Sequence, residues 1–250
     1  MEQVQLRPDE RIDQLYRNHI QIIQSDAVFS FSLDAVMLAH FANVKRSAKA
    51  QIVDLCAGNG AVGLFLSQKT HGQITEVEIQ SRLCDMTERS VQLNQLEQQV
   101  RVVHADLKDS LHYFVKESVD AVTVNPPYFP VQATSKKNPN RYLAIARHEL
   151  KTNLTQVVTT ASDLLKTGGK LFMVHRPDRL PEILTELQAH RLAPKEIQFV
   201  YPRANQDANM VLIAARKDGQ VSGLKVRPAI VVYAGETYTP FVQELLYGSK

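Results

Sequence analysis

Gln51-Ile-Val-Asp-Leu-Cys-Ala-Gly58-Asn-Gly60-Ala-Val-Gly63 is the stretch that orders the rest of the chain. Its first five residues, Gln51–Leu55, include the β-branched pair Ile52 and Val53 and suit a buried strand. A glycine-rich turn follows, and a helix starts at about Val62. Strand, glycine turn and helix in that order begin a parallel βαβ arrangement. The rhythm continues downstream, with Gly72–Ile79 as a second strand and Ser81–Leu96 as a helix. Val100–His104 and Val119–Val124 read as the third and fourth strands, and Lys170–His175 as the fifth. Asn153–Lys166 places Leu154, Val157, Val158, Ala161, Leu164 and Leu165 on one helical face, with Asn153 as cap and Gly168 as stop. Leu180–His190 is a further helix.

The alternation then breaks. Glu196–Tyr201 and Asn209–Arg216 are strands separated only by the polar loop Pro202–Ala208. That connection is too short for a crossover helix, so the pair is antiparallel. The expected fold is α/β: a seven-stranded sheet, mostly parallel, with one antiparallel strand near the C-terminal edge. Residues 1–48 form an N-terminal extension, 49–218 the core and 219–250 a C-terminal extension of a single domain.

A hydrophobic share of 44% is enough for a sizeable core and excludes wholesale disorder. No apolar run reaches membrane-spanning length. Charged residues from Glu2 to Arg17 leave no signal-peptide core, so a cytoplasmic location is expected. Cys56 and Cys84 suggest neither a disulfide framework nor a metal site. The net charge of +3 permits a nucleic-acid partner without arguing for one.

The motif Gly58-Asn-Gly60-Ala-Val-Gly63, with Glu78 twenty residues after Gly58, has the form of a dinucleotide fingerprint. Charge separates the two cofactors it could serve. A pyrophosphate wants bare N–H groups at a helix start, and Asp54 at the preceding strand end would repel it. S-adenosylmethionine carries a sulfonium and an ammonium, which an acid beside the loop attracts directly or through water. Asp54, Gly58 and Gly60 are therefore assigned to S-adenosylmethionine. Glu78 is assigned to its ribose hydroxyls, and Asp106 with Leu107 to its adenine. Alternatively, Asp54 merely caps a loop. Cys56 reads as a small buried filler.

The fourth strand runs directly into Asn125-Pro126-Pro127-Tyr128. This tetrapeptide arises by chance in roughly one chain per thousand of this length, and it falls where open α/β sheets bind ligands. An amine conjugated to a ring or carbonyl is a poor nucleophile. Two acceptors fixed where its N–H bonds point help it pyramidalise as it is methylated. The Asn125 side-chain oxygen and the Pro126 carbonyl can supply them, the two prolines keep the backbone rigid, and Tyr128 can stack on a planar substrate. Asn125 is also assigned to the cofactor.

On these two motifs the chain, over roughly residues 30–216, resembles the Asn-Pro-Pro-Tyr class of S-adenosylmethionine methyltransferases. It is most similar to the bacterial family that methylates N6 of adenine 37 in a valine tRNA. Phe29-Ser-Phe31-Ser-Leu-Asp34-Ala-Val-Met-Leu38, Val77-Glu-Ile-Gln80, Ala146-Arg147-His148-Glu149 and the tail Gly235–Glu244 carry the closer likeness. The resemblance implies a Rossmann-like class I methyltransferase sheet, with Ser32, Asp34 and Ile79 near the cofactor. Ser32 equally suits a plain helix cap, Asp34 a helix start, and Arg147–Glu149 a solvated turn.

Phe129–Leu150 is long for a strand-to-helix loop. Its Lys136, Lys137, Arg141 and Arg147, with Phe129, suit a flipped base and its flanking phosphates in a tRNA partner. A mobile charged loop without a partner is the plainer reading. The rival activities are N5-methylation of a protein glutamine, N2-methylation of an rRNA guanine and, from another class, an NAD-dependent oxidoreductase.

Overall fold

The computed structural model describes residues 4–15, 20–28, 32–129 and 141–248. An antiparallel ribbon of β1 (Glu10–Leu15) and β2 (Ile20–Ser25) leads into helix α1 (Leu33–Phe41). The main sheet is built from β3 (Gln51–Leu55), β4 (Gln73–Glu78), β5 (Val100–His104), β6 (Val119–Val124), β7 (Leu165–His175), β8 (Leu192–Tyr201) and β9 (Met210–Lys217). Their spatial order is β8-β9-β7-β6-β3-β4-β5, and β9 alone runs antiparallel to its neighbours β7 and β8. The expected seven strands are all present, with the reversal where the short Pro202–Ala208 loop required it. Two-residue strands β10 (Lys225–Val226) and β11 (Ile230–Val231) add to the free side of β8, both parallel to it, and complete nine strands. Pairs that short carry no periodicity for sequence reading to detect.

Helices α2 (Ala61–Ser67), α3 (Ser81–Leu93), α4 (Arg141–Arg147), α5 (Leu154–Leu164), α6 (Leu180–Ala189) and α7 (Pro240–Tyr247) complete the layers. Alternate residues of the strands feed two hydrophobic clusters. Ile52, Ile74, Ala121 and Phe172 pack with α1, α2 and α7 on one face. Val53, Val77, Val122 and Leu171 pack with α5 and α6 on the other. Both ends of the chain contribute to the first cluster, through Ile20 and Ile22 and through Val242 and Leu246. Because β6 is buried from end to end, it reads as a continuous apolar run apart from Asp120 and Thr123.

One boundary differs from expectation. Asn153 caps α5 as anticipated, its Oδ1 accepting from the Gln156 N–H at 2.9 Å while Gln156 Oε1 accepts from the Asn153 N–H at 3.1 Å. Yet the helix stops at Leu164, before Gly168, and β7 begins at once. Leu165 pairs with Val119 and Lys170 with Ala121, so the chain makes an irregular excursion between them. Gly168 sits in that excursion and does not stop the helix.

Candidate active site

The carboxyl ends of β3, β4, β5 and β6 surround a cavity of about 350 Å³. Two glycines set the geometry of the loop after β3. Gly60, at φ +79°, ends the turn as the cap of α2. Gly63 lets α2 lie against β4, because a Cβ there would meet Glu76 Oε1 at 1.9 Å. Glu78 ends β4, and its carboxylate accepts from the Gly58 N–H and the Gln80 N–H, each at 2.9 Å. Asp106 follows β5 and accepts from the Lys108 N–H at 3.1 Å. Asn125–Tyr128 follows β6, and α1 brings Ser32 and Asp34 to the same space.

Of the residues expected at the cofactor, Ser32, Asp34, Gly58, Glu78, Ile79, Asp106, Leu107 and Asn125 line this cavity. They are joined there by Pro126, Pro127, Tyr128 and Phe129. Ser32 makes no side-chain cap bond to α1, so its hydroxyl is not engaged as a helix cap. Asp54 and Gly60 are not among the lining residues. Asp54 is 1% exposed, accepts from the Thr123 hydroxyl at 2.6 Å and lies opposite Glu76 in the sheet. Its remaining carboxyl oxygen and both oxygens of Glu76 are buried, and the two carboxyls share a hydrogen bond that needs a proton on one of them. Burial raises the Asp54 carboxyl to about 7 and pushes Glu76 well above the usual carboxylate range, so the pair holds a proton near neutral pH. The carboxyls that reach the lining are Asp34, Glu78 and Asp106, Glu78 raised by burial against the bonds it accepts from Gly58 and Gln80, with Lys151 as the lysine in the lining.

Lys136 and Lys137 fall outside the described residues, and Arg141 and Arg147 are the first and last residues of α4. The two ends of the intervening arm are joined beside the site. Phe129 bridges to His148 in parallel register, their rings 5.8 Å apart, and the Glu149 N–H donates to the Phe129 carbonyl at 2.9 Å. Glu149 pairs with Arg179 at 2.6 Å, and Arg179 also donates to the Tyr128 carbonyl at 3.4 Å. Residues 148 and 149 are thus a structural clasp and not a solvated turn.

Tyr128 is held from three sides. Its hydroxyl lies 2.7 Å from Asp34 Oδ2 and 2.6 Å from Asn125 Oδ1, and its ring stands 5.1 Å from that of His175. Burial and the neighbouring Asp34 carboxylate push the phenol far up, so it stays protonated. His175 accepts from the Arg176 N–H through Nδ1, and burial beside Arg179 lowers it to about 4, so it is neutral. Burial raises the Cys56 thiol well above its usual range, which removes it as a nucleophile. His175 and Arg179 escaped sequence reading, although a polar residue ending a central strand is a usable signal.

The lining fits S-adenosylmethionine. Three carboxylates suit its cationic groups and ribose and would repel a pyrophosphate, Ile79 and Leu107 offer an apolar slot for a base, and a Cβ at Gly58 would enter open space. No group of His, Cys, Asp and Glu among the described residues could hold a metal ion.

Residues 19–199 match the family described as the methyltransferase small domain. A protein of Porphyromonas gingivalis named tRNA1(Val) (adenine(37)-N6)-methyltransferase is 23% identical over 196 residues, 76% of each chain. One of the same name from Tolumonas auensis is 28% identical over 155 residues, covering 61% of this chain and 62% of its own. Among solved structures, a predicted O-methyltransferase of Agrobacterium tumefaciens superposes with a TM-score of 0.68 at 25% identity, covering 86% of this chain and 96% of that one. A geranyl diphosphate C-methyltransferase of Streptomyces coelicolor, solved with S-adenosyl-L-homocysteine, shares the fold at a TM-score of 0.56 and 17% identity, covering 74% and 77%.

Proposed function

The chain belongs to the methyltransferase small domain family, and from that premise we propose that it is a cytoplasmic tRNA methyltransferase acting on N6 of adenine 37 in a valine tRNA. The observation that carries this reading is Asn125-Pro126-Pro127-Tyr128 opening into the same cavity as Glu78 and Asp106. S-adenosylmethionine held there would supply an electrophilic methyl group, passing from its sulfur to the lone pair of the amine nitrogen. Glu78 accepts from the ribose hydroxyls, its carboxylate held still by Gly58 and Gln80. Asp106 would accept from the adenine amine of the cofactor, and Ile79 and Leu107 would offer apolar contact to that ring. Asn125 and the Pro126 carbonyl accept from the two N–H bonds of the target amine, and the resulting cationic nitrogen releases its proton to solvent. Buried Asp54 acts from beneath, by holding β3 and its loop in register with β4 and β6.

Several features favour RNA over a protein substrate. Phe129 is exposed at the cavity and can stack on a flipped base. Arg176 follows β7 beside Tyr128, and Arg203 follows β8 and lies 5.6 Å from the Tyr233 ring centre. Neither arginine has a carboxylate partner among the described residues, and β7 and β8 run in the same direction, so both arginines lie beyond the strand ends on the side of the sheet that carries the site. Together with Lys136, Lys137, Arg141 and Arg147, which the sequence puts between Phe129 and Leu150, they would supply phosphate-binding charge. The relatives named for adenine 37 methylation add to this support. The deciding experiment is methyl transfer from labelled S-adenosylmethionine to fractionated tRNA, rRNA and release-factor-like protein, followed by nucleoside and peptide analysis. The expected product is N6-methyladenosine in valine tRNA; label in glutamine or in N2-methylguanosine alone overturns the reading.

A further inference from the structure

The Tyr128 hydroxyl is 2.7 Å from Asp34 Oδ2 and 2.6 Å from the Asn125 amide. A phenol carries one hydrogen, and cannot donate well to two acceptors. Asp34 is the stronger claimant, because a carboxylate takes a charge-assisted bond and an amide oxygen does not. Burial and Asp34 keep the phenol protonated, so Tyr128 offers its hydrogen in one direction and a lone pair in the other. The oxygen and nitrogen of an amide are told apart by the network they join. Here the network closes only if the Asn125 NH₂ donates to the Tyr128 oxygen. The Asn125 oxygen then faces the opposite way, where the amide has no hydrogen-bond partner among the described residues and the residue lines the cavity.

We infer that Asp34 is a positioning residue: through the Tyr128 hydroxyl it sets which end of the Asn125 amide meets the substrate amine. Without Asp34, the hydroxyl hydrogen turns to the Asn125 oxygen and the NH₂ group points at the substrate. A donor then faces the N–H bonds that need an acceptor. Asp34 lies on α1, outside the Asn-Pro-Pro-Tyr motif and 94 residues before Tyr128, so the device exists only in the fold. This rests on the acceptor role proposed for Asn125, with any amine as substrate.

The test is a cycle of Asp34→Ala, Tyr128→Phe and the double variant, read as single-turnover methylation of unmodified valine tRNA. S-adenosylhomocysteine affinity, taken in parallel by calorimetry, reports an intact pocket. Asp34→Ala locks the amide the wrong way and loses on the order of a hundredfold in rate. Tyr128→Phe loses less, since a released amide spends part of its time correctly turned. The double variant is the sharpest arm: removing the hydroxyl as well restores about tenfold over Asp34→Ala. A residue that only bound cofactor or supported the fold would give a double variant no faster than Asp34→Ala, and that outcome overturns the inference. Nuclear Overhauser contacts from the Asn125 NH₂ protons to the Tyr128 ring provide a readout without substrate. They are expected in the wild type and lost in Asp34→Ala, and their absence from the wild type overturns the inference equally. If Asn125→Ala keeps the wild-type rate, the acceptor reading itself has failed; if Asn125→Ala is inactive and the double variant shows no recovery, only the role of Asp34 has failed.

Discussion

In the proposed mechanism Asn125 serves the chemistry and Glu78 the binding of cofactor, and single substitutions separate the two roles. Asn125→Ala should lower the single-turnover rate on the order of a hundredfold or more, the usual effect of deleting one preorganised polar contact to a transition state. Affinity for S-adenosylhomocysteine should change little. Asn125→Asp keeps an acceptor and should retain part of the rate. Glu78→Ala should do the reverse, weakening S-adenosylhomocysteine by about 1–3 kcal/mol in calorimetry, since a buried charged acceptor is lost together with its hold on Gly58. Asp54→Asn should leave that affinity within a few-fold, because Asp54 is shielded from the cavity by the loop it supports. A large loss there would mean that its charge reaches the ligand after all.

At the scale of strands and helices, Asp54 on β3 and Glu76 on β4 sit back to back beneath α2, and His175 ends β7 against Tyr128. Asp54 and Glu76 are raised in the fold, to about 7 for Asp54. The folded state thus keeps protons that the unfolded chain releases above about 4. Their contribution is fully present in acid and is lost as pH rises through about 7, with a slope of about 1.4 kcal/mol per pH unit for each such proton. His175 has the opposite sign. Lowered to about 4, it contributes fully above about 6.5 and loses that contribution as pH falls towards 4. The slopes oppose each other between about 4 and 6.5. Glu76→Gln should therefore flatten the fall of the thermal midpoint with pH across this window, because Asp54 alone then opposes His175, and His175→Gln should steepen it. Parallel pH profiles for wild type and both variants would refute the assignment. Gly63→Ala should destabilise by about 1–3 kcal/mol or more in denaturant titration, since its methyl group enters the Glu76 carboxyl.

Over the whole molecule, the sheet collects ligand-facing residues at one end from elements far apart in the chain. Arg176 and Arg203 stand beyond the carboxyl ends of β7 and β8, on the side of the site away from β4 and β5. Replacing both by Ala should weaken tRNA binding and lower the slope of log affinity against log salt by about one to two, one phosphate contact per arginine. Cofactor affinity should be unaffected. Lys136→Ala with Lys137→Ala should lower the slope in the same way, and the two pairs should combine additively if they grip separate phosphates. An unchanged slope in either pair removes that side from the RNA interface.

The sequence by itself determined the seven strands of the core sheet, the helices between them, the one reversed strand and the Asn-Pro-Pro-Tyr motif. Each of these is local: alternation, glycine turns and a Pro-Pro tetrapeptide are written in neighbouring residues, and a seven-residue loop admits one strand direction. Glu78, Asp106 and Asn125, singled out from sequence, all line one cavity, because strand ends in an open α/β sheet converge on one site. Only the tertiary structure decided which acids face the ligand. Asp54 and Glu78 are both strand-end carboxylates in sequence, yet one turns under α2 into a proton-sharing pair and the other turns into the cavity. It likewise decided that α1 delivers Asp34 to Tyr128, that Arg179 clasps Glu149, and that both chain ends enter one cluster with the core. Those contacts join residues whose separation along the chain leaves no periodic trace, and their energies depend on burial that exists only once the layers have packed.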